Sequence, residues 1–292
     1  MRPSVPQWRS ILFVPANVEK YVSKAAKSGA DAILLDLEDS IDPGDKASAR
    51  AALPKAIASL ASGQLDIGVR INSSLGMAVR DVEAAVHPDV SFLVLPKVQS
   101  ADYVRLISEY LAECEAQQDM ASGRIKLVAT VESAAGLFRL EEIAKADERL
   151  IGLTLGAEDF STSCGCSPTG EAMFLPKQLA LFAARAAGIL PLGLVGSAAN
   201  FGDLEAFRSS ARRSRALGFA GAFAIHPSQV QILNEEFAPS EEEVQYAEAV
   251  IAAREKAPAR GQAFAFRGQM VDKPILQRAE RILSQARRQN EL

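Results

Sequence analysis

The sequence predicts an α/β protein folded as a (β/α)8, or TIM, barrel with a C-terminal helical extension that acts as a lid. Two observations predict it. Short, nearly all-apolar runs alternate eight times with stretches of helical period. Charged side chains then recur at the C-terminal ends of those runs, the pole where a barrel of parallel strands gathers its chemistry. Of the 292 residues, 48% are hydrophobic, enough for a large core. A doubly wound sheet is the alternative layout for the same alternation.

Eight strands are expected, at Ile11–Val14, Ala32–Leu37, Ile67–Ile71, Phe92–Leu95, Leu127–Val131, Ile151–Leu155, Leu192–Val195 and Ala222–Ile225. Each is bounded by Gly, Pro or charge, and continuous apolar character is how a parallel strand buried on both faces reads. Among the helices between them, Lys46–Leu60 follows the Pro43-Gly44 turn. Leu137–Ala146 sets Leu137, Leu140 and Ile143 on one face, and Leu179–Ala187 stops at Gly188. Beyond the eighth strand the pattern changes. Ser228–Phe237 is helical, and Pro239-Ser240 opens a helix over Glu241–Lys256 with its acids first, where the helix dipole favours them. Pro258–Gly261 reads as a linker, Ala263–Phe266 as a strand, Gly268 as a turn and Pro274 as the start of a last helix reaching about Arg288. The expected division is a barrel over 1–237 and an extension over 238–292, packed on the barrel or on a neighbouring subunit.

Composition excludes several classes of function. The net charge is −4 and the pI about 5.5, so there is no basic stripe for nucleic acid. Arg208, Arg212, Arg213 and Arg215 read as a solvated helix face, or else as a landing place for an anionic group. The three cysteines are an odd number, and the N-terminus is unlike a signal peptide, which points to a reducing, cytoplasmic compartment. Cys164-Gly165-Cys166 lacks the spacing of a zinc pair. No run approaches the ~18 apolar residues a membrane span needs. A Ser–His–Asp arrangement, a dinucleotide fingerprint and a phosphate-cradling glycine loop are all missing from the sequence.

The strand ends carry the candidate chemistry. They read Asp36-Leu37-Glu38-Asp39, Arg70-Ile71-Asn72, Pro96-Lys97, Glu132-Ser133, Gly156-Ala157-Glu158-Asp159 and His226-Pro227. One charge at a strand end is ordinarily a cap or a solvated loop, but acids and bases from several strands converge at one pole of a barrel. Carboxylates without a Cys or His cluster form a hard-oxygen site suited to Mg2+, or Mn2+, rather than Zn2+. Such an ion can chelate a 2-keto or 2-hydroxy acid and polarise its carbonyl. Arg70 offers a forked, permanent positive charge to a carboxylate or enolate oxygen, and Lys97 a more flexible one. His226 reads as a tie between the last strand and the tail helix, or as a hydrogen-bond donor lining the pocket.

On these residues the chain resembles the citrate lyase β-subunit-like (HpcH/HpaI aldolase) family of CoA-ester lyases, which includes malyl-CoA and citramalyl-CoA lyases. The carrying segments are Leu12–Pro15, Asp36–Ser40, Val69–Asn72, Leu95–Lys97, Val131–Ser133, Gly156–Asp159, Ala224–Gln229 and Met270–Pro274, in order from residue 10 to about 285. The resemblance implies that Glu132 and Asp159 ligate Mg2+, that Arg70 binds substrate, and that Glu38 and Asp39 order metal-bound water beside it. It also implies that Asp272 is catalytic, in a tail that closes over an adjacent subunit's site, which makes the protein a homotrimer or hexamer. The implied small-molecule partners are an acyl-CoA and a 2-keto acid. The chain departs from the pattern at Gly193–Ser197, where an Asp is common, and at Gly221-Ala222, where Gly-Lys is common. Both departures touch the pocket rim and bear on the acyl substrate.

Overall fold

The computed structural model describes residues 5–61, 63, 65–196, 198–199, 201–256 and 263–290. Ser197, the expected linker Pro258–Gly261 and Gln262 lie outside them. By its contacts the chain separates into two compact units, 1–237 and 238–292.

The first unit is an α/β layer structure around one curled sheet of eight strands, all in parallel pairs. The strands are β1 (Ser10–Pro15), β2 (Ala32–Asp36), β3 (Asp66–Arg70), β4 (Val90–Leu95), β5 (Lys126–Val131), β6 (Leu150–Leu155), β7 (Leu190–Pro191) and β8 (Ala222–Ala224). Their order is β7-β6-β5-β4-β3-β2-β1-β8. Seven neighbouring pairs form ladders. The remaining seam, β7 to β8, has only an isolated bridge between Leu192 and Gly221. Two backbone hydrogen bonds cross it, from Gly193 N–H to the Gly221 carbonyl and from Ala220 N–H to the Pro191 carbonyl, both 2.9 Å.

Alternation along the strands sorts side chains into two cores. One set, including Leu12, Ile33, Leu35, Val69, Leu93, Leu95 and Ala129, packs against the surrounding helices. The other set, with Ile11, Ala32, Leu34, Phe92, Val94, Val128, Ile151 and Leu192, fills the inside of the curl with Trp8 beneath it. Phe92 is too large for that interior unless a neighbour yields. Gly68 does so, because a Cβ there would lie 2.3 Å from the Phe92 ring. The Trp8 ring packs tilted against Phe92, 4.3 Å between centres, and donates its indole N–H to Asp66 at 2.7 Å.

Four expected elements need correction. The seventh strand is Leu190–Pro191 and a bridge at Leu192, not Leu192–Val195. Gly193 takes φ 147°, and the N–H groups of Val195 and Gly196 go to the hydroxyls of Ser214 and Ser210 instead of to a strand. The eighth strand stops at Ala224, because Gln229 Oε1 accepts the N–H groups of Ile225 (2.9 Å) and His226 (3.3 Å). The helix expected over Leu137–Ala146 is two short ones, Ala134–Leu137 and Leu140–Ala144. The chain tightens between them as Arg139 N–H reaches back only three residues, to the Gly136 carbonyl. The helix expected from Leu179 begins at Glu171 and passes through Pro176. The carbonyl that Pro176 leaves without a helical donor belongs to exposed Ala172, where water can take the bond.

The second unit holds the helix Glu241–Lys256, an antiparallel hairpin and the helix Lys273–Asn290. The hairpin strands are β9 (Phe264–Phe266) and β10 (Gln269–Val271), turning at Arg267 and Gly268, both at positive φ as a two-residue hairpin turn requires. Ala247, Val250, Val271 and Ala279 form its small core. No helix among the described residues is long and apolar enough to cross a membrane.

Candidate active site

The site is assembled at the C-terminal ends of β2 to β6. Asp36 is the last residue of β2 and stands in register with Arg70 on β3. Its carboxylate takes the Arg70 fork side-on, with Nε at 2.6 Å and Nη2 at 2.7 Å. The same carboxylate accepts the backbone N–H groups of Glu38 (2.9 Å) and Ser40 (3.1 Å), so it also shapes the acidic loop. Lys46 Nζ binds the carbonyls of Leu37 and Glu38, and Asn72 donates to that of Leu37, which pins the loop from behind. Burial pushes the Asp36 carboxyl up, but the hydrogen bonds and charge of Arg70 outweigh it and hold Asp36 below the ordinary carboxylate range.

With two of its nitrogens committed to Asp36, Arg70 turns Nη1 to the site, 2.9 Å from Glu38 Oε2 and 3.7 Å from Asp39 Oδ2. Its guanidinium lies 4.7 Å from the centre of the Phe13 ring on β1. Burial alone would favour a neutral guanidine, and the surrounding carboxylates reverse that and raise its pKa. Lys97 sits just beyond β4 in the left-handed region, φ 53°, a conformation costing about 1–3 kcal/mol in a non-glycine residue. From there Nζ reaches Glu38 Oε1 at 3.1 Å, Asp39 Oδ1 at 3.5 Å and Asp159 Oδ2 at 3.4 Å. One ammonium therefore joins the ends of β2 and β6.

Glu132 follows β5 and is buried, with Oε2 lacking any hydrogen-bond partner. Burial, then the nearby charges of Glu38 and Asp159, push its carboxyl up to about 8. Gly156, after β6, makes this placement possible: a Cβ there would lie 2.8 Å from Glu132 Cγ and 3.0 Å from Oε1. Asp159 stands in the first turn of the helix Ala157–Cys164 and is about half exposed. Among the described residues no three His, Cys, Asp or Glu side chains cluster in a way that could hold a metal. Two carboxylates, one with a buried unpaired oxygen, suit a hard divalent ion that keeps water or ligand in its other positions. The residues present fit such an ion.

Glu38, Asp39, Arg70, Glu132 and Asp159 are thus brought together. Asp272 belongs to the second unit, where its Oδ1 accepts Ile275 N–H at 3.4 Å at the start of the last helix. His226 is exposed, pairs with Ser228 Oγ at 2.8 Å and stacks on Phe201 at 5.2 Å. Of the arginine cluster, Arg208 and Arg212 pair with Glu235 and Glu236, while Arg213 lies over Phe174. Reading the sequence missed Asp36 as the clamp on Arg70, Phe13 as its platform and Gly156 as the space for Glu132. An acid and an arginine at the ends of adjacent strands signal the first, once register is known.

Residues 9–227 match the family described as HpcH/HpaI aldolase/citrate lyase. The chain belongs to that family. As a member of the HpcH/HpaI aldolase/citrate lyase family it is a carbon–carbon lyase. It is 34% identical to the citrate lyase subunit beta of Leuconostoc mesenteroides subsp. cremoris over 95% of this chain and 93% of that one. It is 38% identical to an L-malyl-CoA/beta-methylmalyl-CoA lyase of Cereibacter sphaeroides over 95% and 94%. Among solved structures it is similar to protein CitE from Mycobacterium tuberculosis in complex with magnesium, acetoacetate and coenzyme A. That likeness has a TM-score of 0.72 and 32% identity, over 98% of this chain and 99% of that one.

Proposed function

We propose that this protein is a Mg2+-dependent CoA-ester lyase that reversibly cleaves a 3-hydroxyacyl-CoA of the malyl-, citramalyl- or citryl-CoA type to an acyl-CoA and a 2-keto acid. The observation that carries the reading is the Glu132–Asp159 pair at the end of a parallel sheet, with a buried, unpaired Glu132 oxygen and the Lys97 ammonium 3.4 Å from Asp159. The magnesium complex of the Mycobacterium tuberculosis relative supports the ion, and the Cereibacter sphaeroides relative supports the thioester. The curled sheet is read as a closed (β/α)8 barrel whose last seam is the Leu192–Gly221 bridge.

Glu132 and Asp159 would hold the ion; Mn2+ would serve in place of Mg2+. When bound it supplies a Lewis acid for the carboxylate and carbonyl oxygens of the keto acid. The substrate hydroxyl loses its proton, the carbon–carbon bond breaks, and its electron pair passes to the thioester as an enolate, which is then protonated. Arg70, through Nη1, and Lys97 stabilise the oxyanion that develops. Glu38 and Asp39 hold both cations in place. Asp272 is the proposed proton-transfer group, carried by the tail of a neighbouring subunit in a trimer or a pair of trimers. Three free cysteines are in keeping with a cytoplasmic enzyme.

The test is keto acid release by the purified chain over a panel of acyl-CoA substrates, with and without chelator. Release that requires both the thioester and the divalent ion is the expected result. Cleavage of free hydroxy-keto acids without CoA would instead make it a metal-dependent aldolase. The Leuconostoc relative favours one other reading, a subunit of a citrate lyase-like complex. Activity of the chain alone would exclude a non-catalytic subunit.

A further inference from the structure

Cys164 and Cys166 take no part in the proposed chemistry, yet the fold places them as a pair. Cys164 ends the helix that carries Asp159, Gly165 follows at φ 66° and ψ 34°, and Cys166 comes next. A residue in the left-handed helical conformation draws its two neighbours' Cα atoms to about 5.4 Å, from the radius and rise of a helix. That lies inside the ~4.4–6.8 Å span that disulfides bridge. Glycine holds the conformation without steric cost. Both thiols are free, Cys164 exposed and Cys166 half-buried, whereas Cys114 is buried. The backbone between them closes the helix: Gly165 N–H binds the Thr162 carbonyl at 3.4 Å, and Cys166 N–H the Ser161 carbonyl at 3.0 Å. Both of these N–H groups belong to the small ring that a bond between the two sulfurs would close, at the end of a helix of only eight residues.

We propose that Cys164 and Cys166 are a redox-modification site, a dithiol that closes reversibly to a disulfide by exchange with a small-molecule disulfide of the glutathione type and loosens the end of the helix bearing Asp159. The Cys164 thiolate attacks one sulfur of the disulfide and expels the first thiolate. The Cys166 thiolate then attacks Cys164 Sγ and expels the second. Two electrons pass from the cysteines to the small disulfide, and the two cysteine protons end on the two small thiols. A ring this small is strained, which makes its disulfide the more easily reduced. The pair therefore stays open in a reducing compartment and closes only when the thiol buffer is oxidised.

The experiment exposes the full chain to oxidised glutathione, alkylates the free thiols and reads the masses of its proteolytic peptides. The expected result is a loss of about 2 Da within one peptide containing both cysteines, reversed by dithiothreitol. Cys164→Ser and Cys166→Ser should each abolish that loss, the remaining cysteine carrying at most one glutathionyl group. Hydrogen exchange of the oxidised chain should be several-fold faster across 157–166 and unchanged across the helix Ala101–Gln117. This readout does not depend on the lyase reaction. Stable glutathionyl adducts without ring closure, disulfide-linked dimers, or a closed ring with unchanged exchange at 157–166 would each overturn the proposal.

Discussion

At the scale of single residues, Glu132 decides how the site responds to pH. Its carboxyl titrates near 8 in the fold, against an ordinary value of 4.5. Between those values the folded chain holds a proton that the unfolded chain has released. The stability due to this group is therefore complete below about pH 4.5 and lost as pH rises through about 8, an effect of at most ~5 kcal/mol. In thermal scans the metal-free protein should lose Tm as pH rises from about 5 to about 8.5, and Glu132→Gln should flatten that fall. Mg2+ should raise the Tm of the parent at the alkaline end and leave the variant unmoved; an equal rise in both would remove Glu132 from the metal site. Arg70 makes the second case. Arg70→Lys keeps the charge but cannot hold Asp36 with two parallel bonds and also face the site. Turnover should fall about 10²–10³-fold, the scale of one lost oxyanion donor. Normal turnover with a lowered Tm would leave the pair a purely structural one. Glu132, Asp159 and Arg70 were legible in the sequence because a charge at the end of an apolar run is conspicuous. The Asp36 clamp was not, because its meaning depends on which residue of β3 stands opposite.

At the scale of elements, the strands that read well are those whose apolar run and hydrogen-bond ladder coincide, β2 and β5 among them. The seventh misread for a physical reason: Leu192–Val195 continues the apolar pattern while its backbone turns away at Gly193 and bonds to side chains. Two further side chains hold described residues of the loop after β7. Lys177 Nζ donates to the Gly196 carbonyl at 3.0 Å, and Gln229 Nε2 to that of Ala198 at 2.8 Å. Burial of the Lys177 ammonium lowers its pKa to about 8. Gln229, fully buried, uses its other end to terminate β8. Gln229→Ala leaves two N–H groups and a carbonyl without these partners, at about 1–3 kcal/mol for each that water cannot reach. Its Tm should drop by several degrees. Limited proteolysis should then cut first within 193–203; cleavage elsewhere with the parent's Tm would show the loop to be held by other means.

At the scale of the whole molecule, the proposed tail exchange makes the oligomer the unit of catalysis. Asp272→Asn and Glu132→Gln chains should each be inactive alone. Mixed and allowed to exchange subunits, they should recover up to about a quarter of parental activity, since half the barrels and half the tails are intact and they pair at random around a ring. No recovery after verified exchange would confine each site to one chain. The seam between β1 and β8 has a different consequence, one of timing. Ser10 pairs with Ala222, and Ile11 with Phe223. During synthesis the first strand leaves the ribosome long before its last partner. At ~5–20 residues per second that interval is roughly 10–40 s. Throughout it β1 presents one unpaired edge, open to strands of other nascent chains. β8 is thus also the cover for the first strand, and a chain stalled before residue 222 would hold a nearly complete sheet with an adhesive edge.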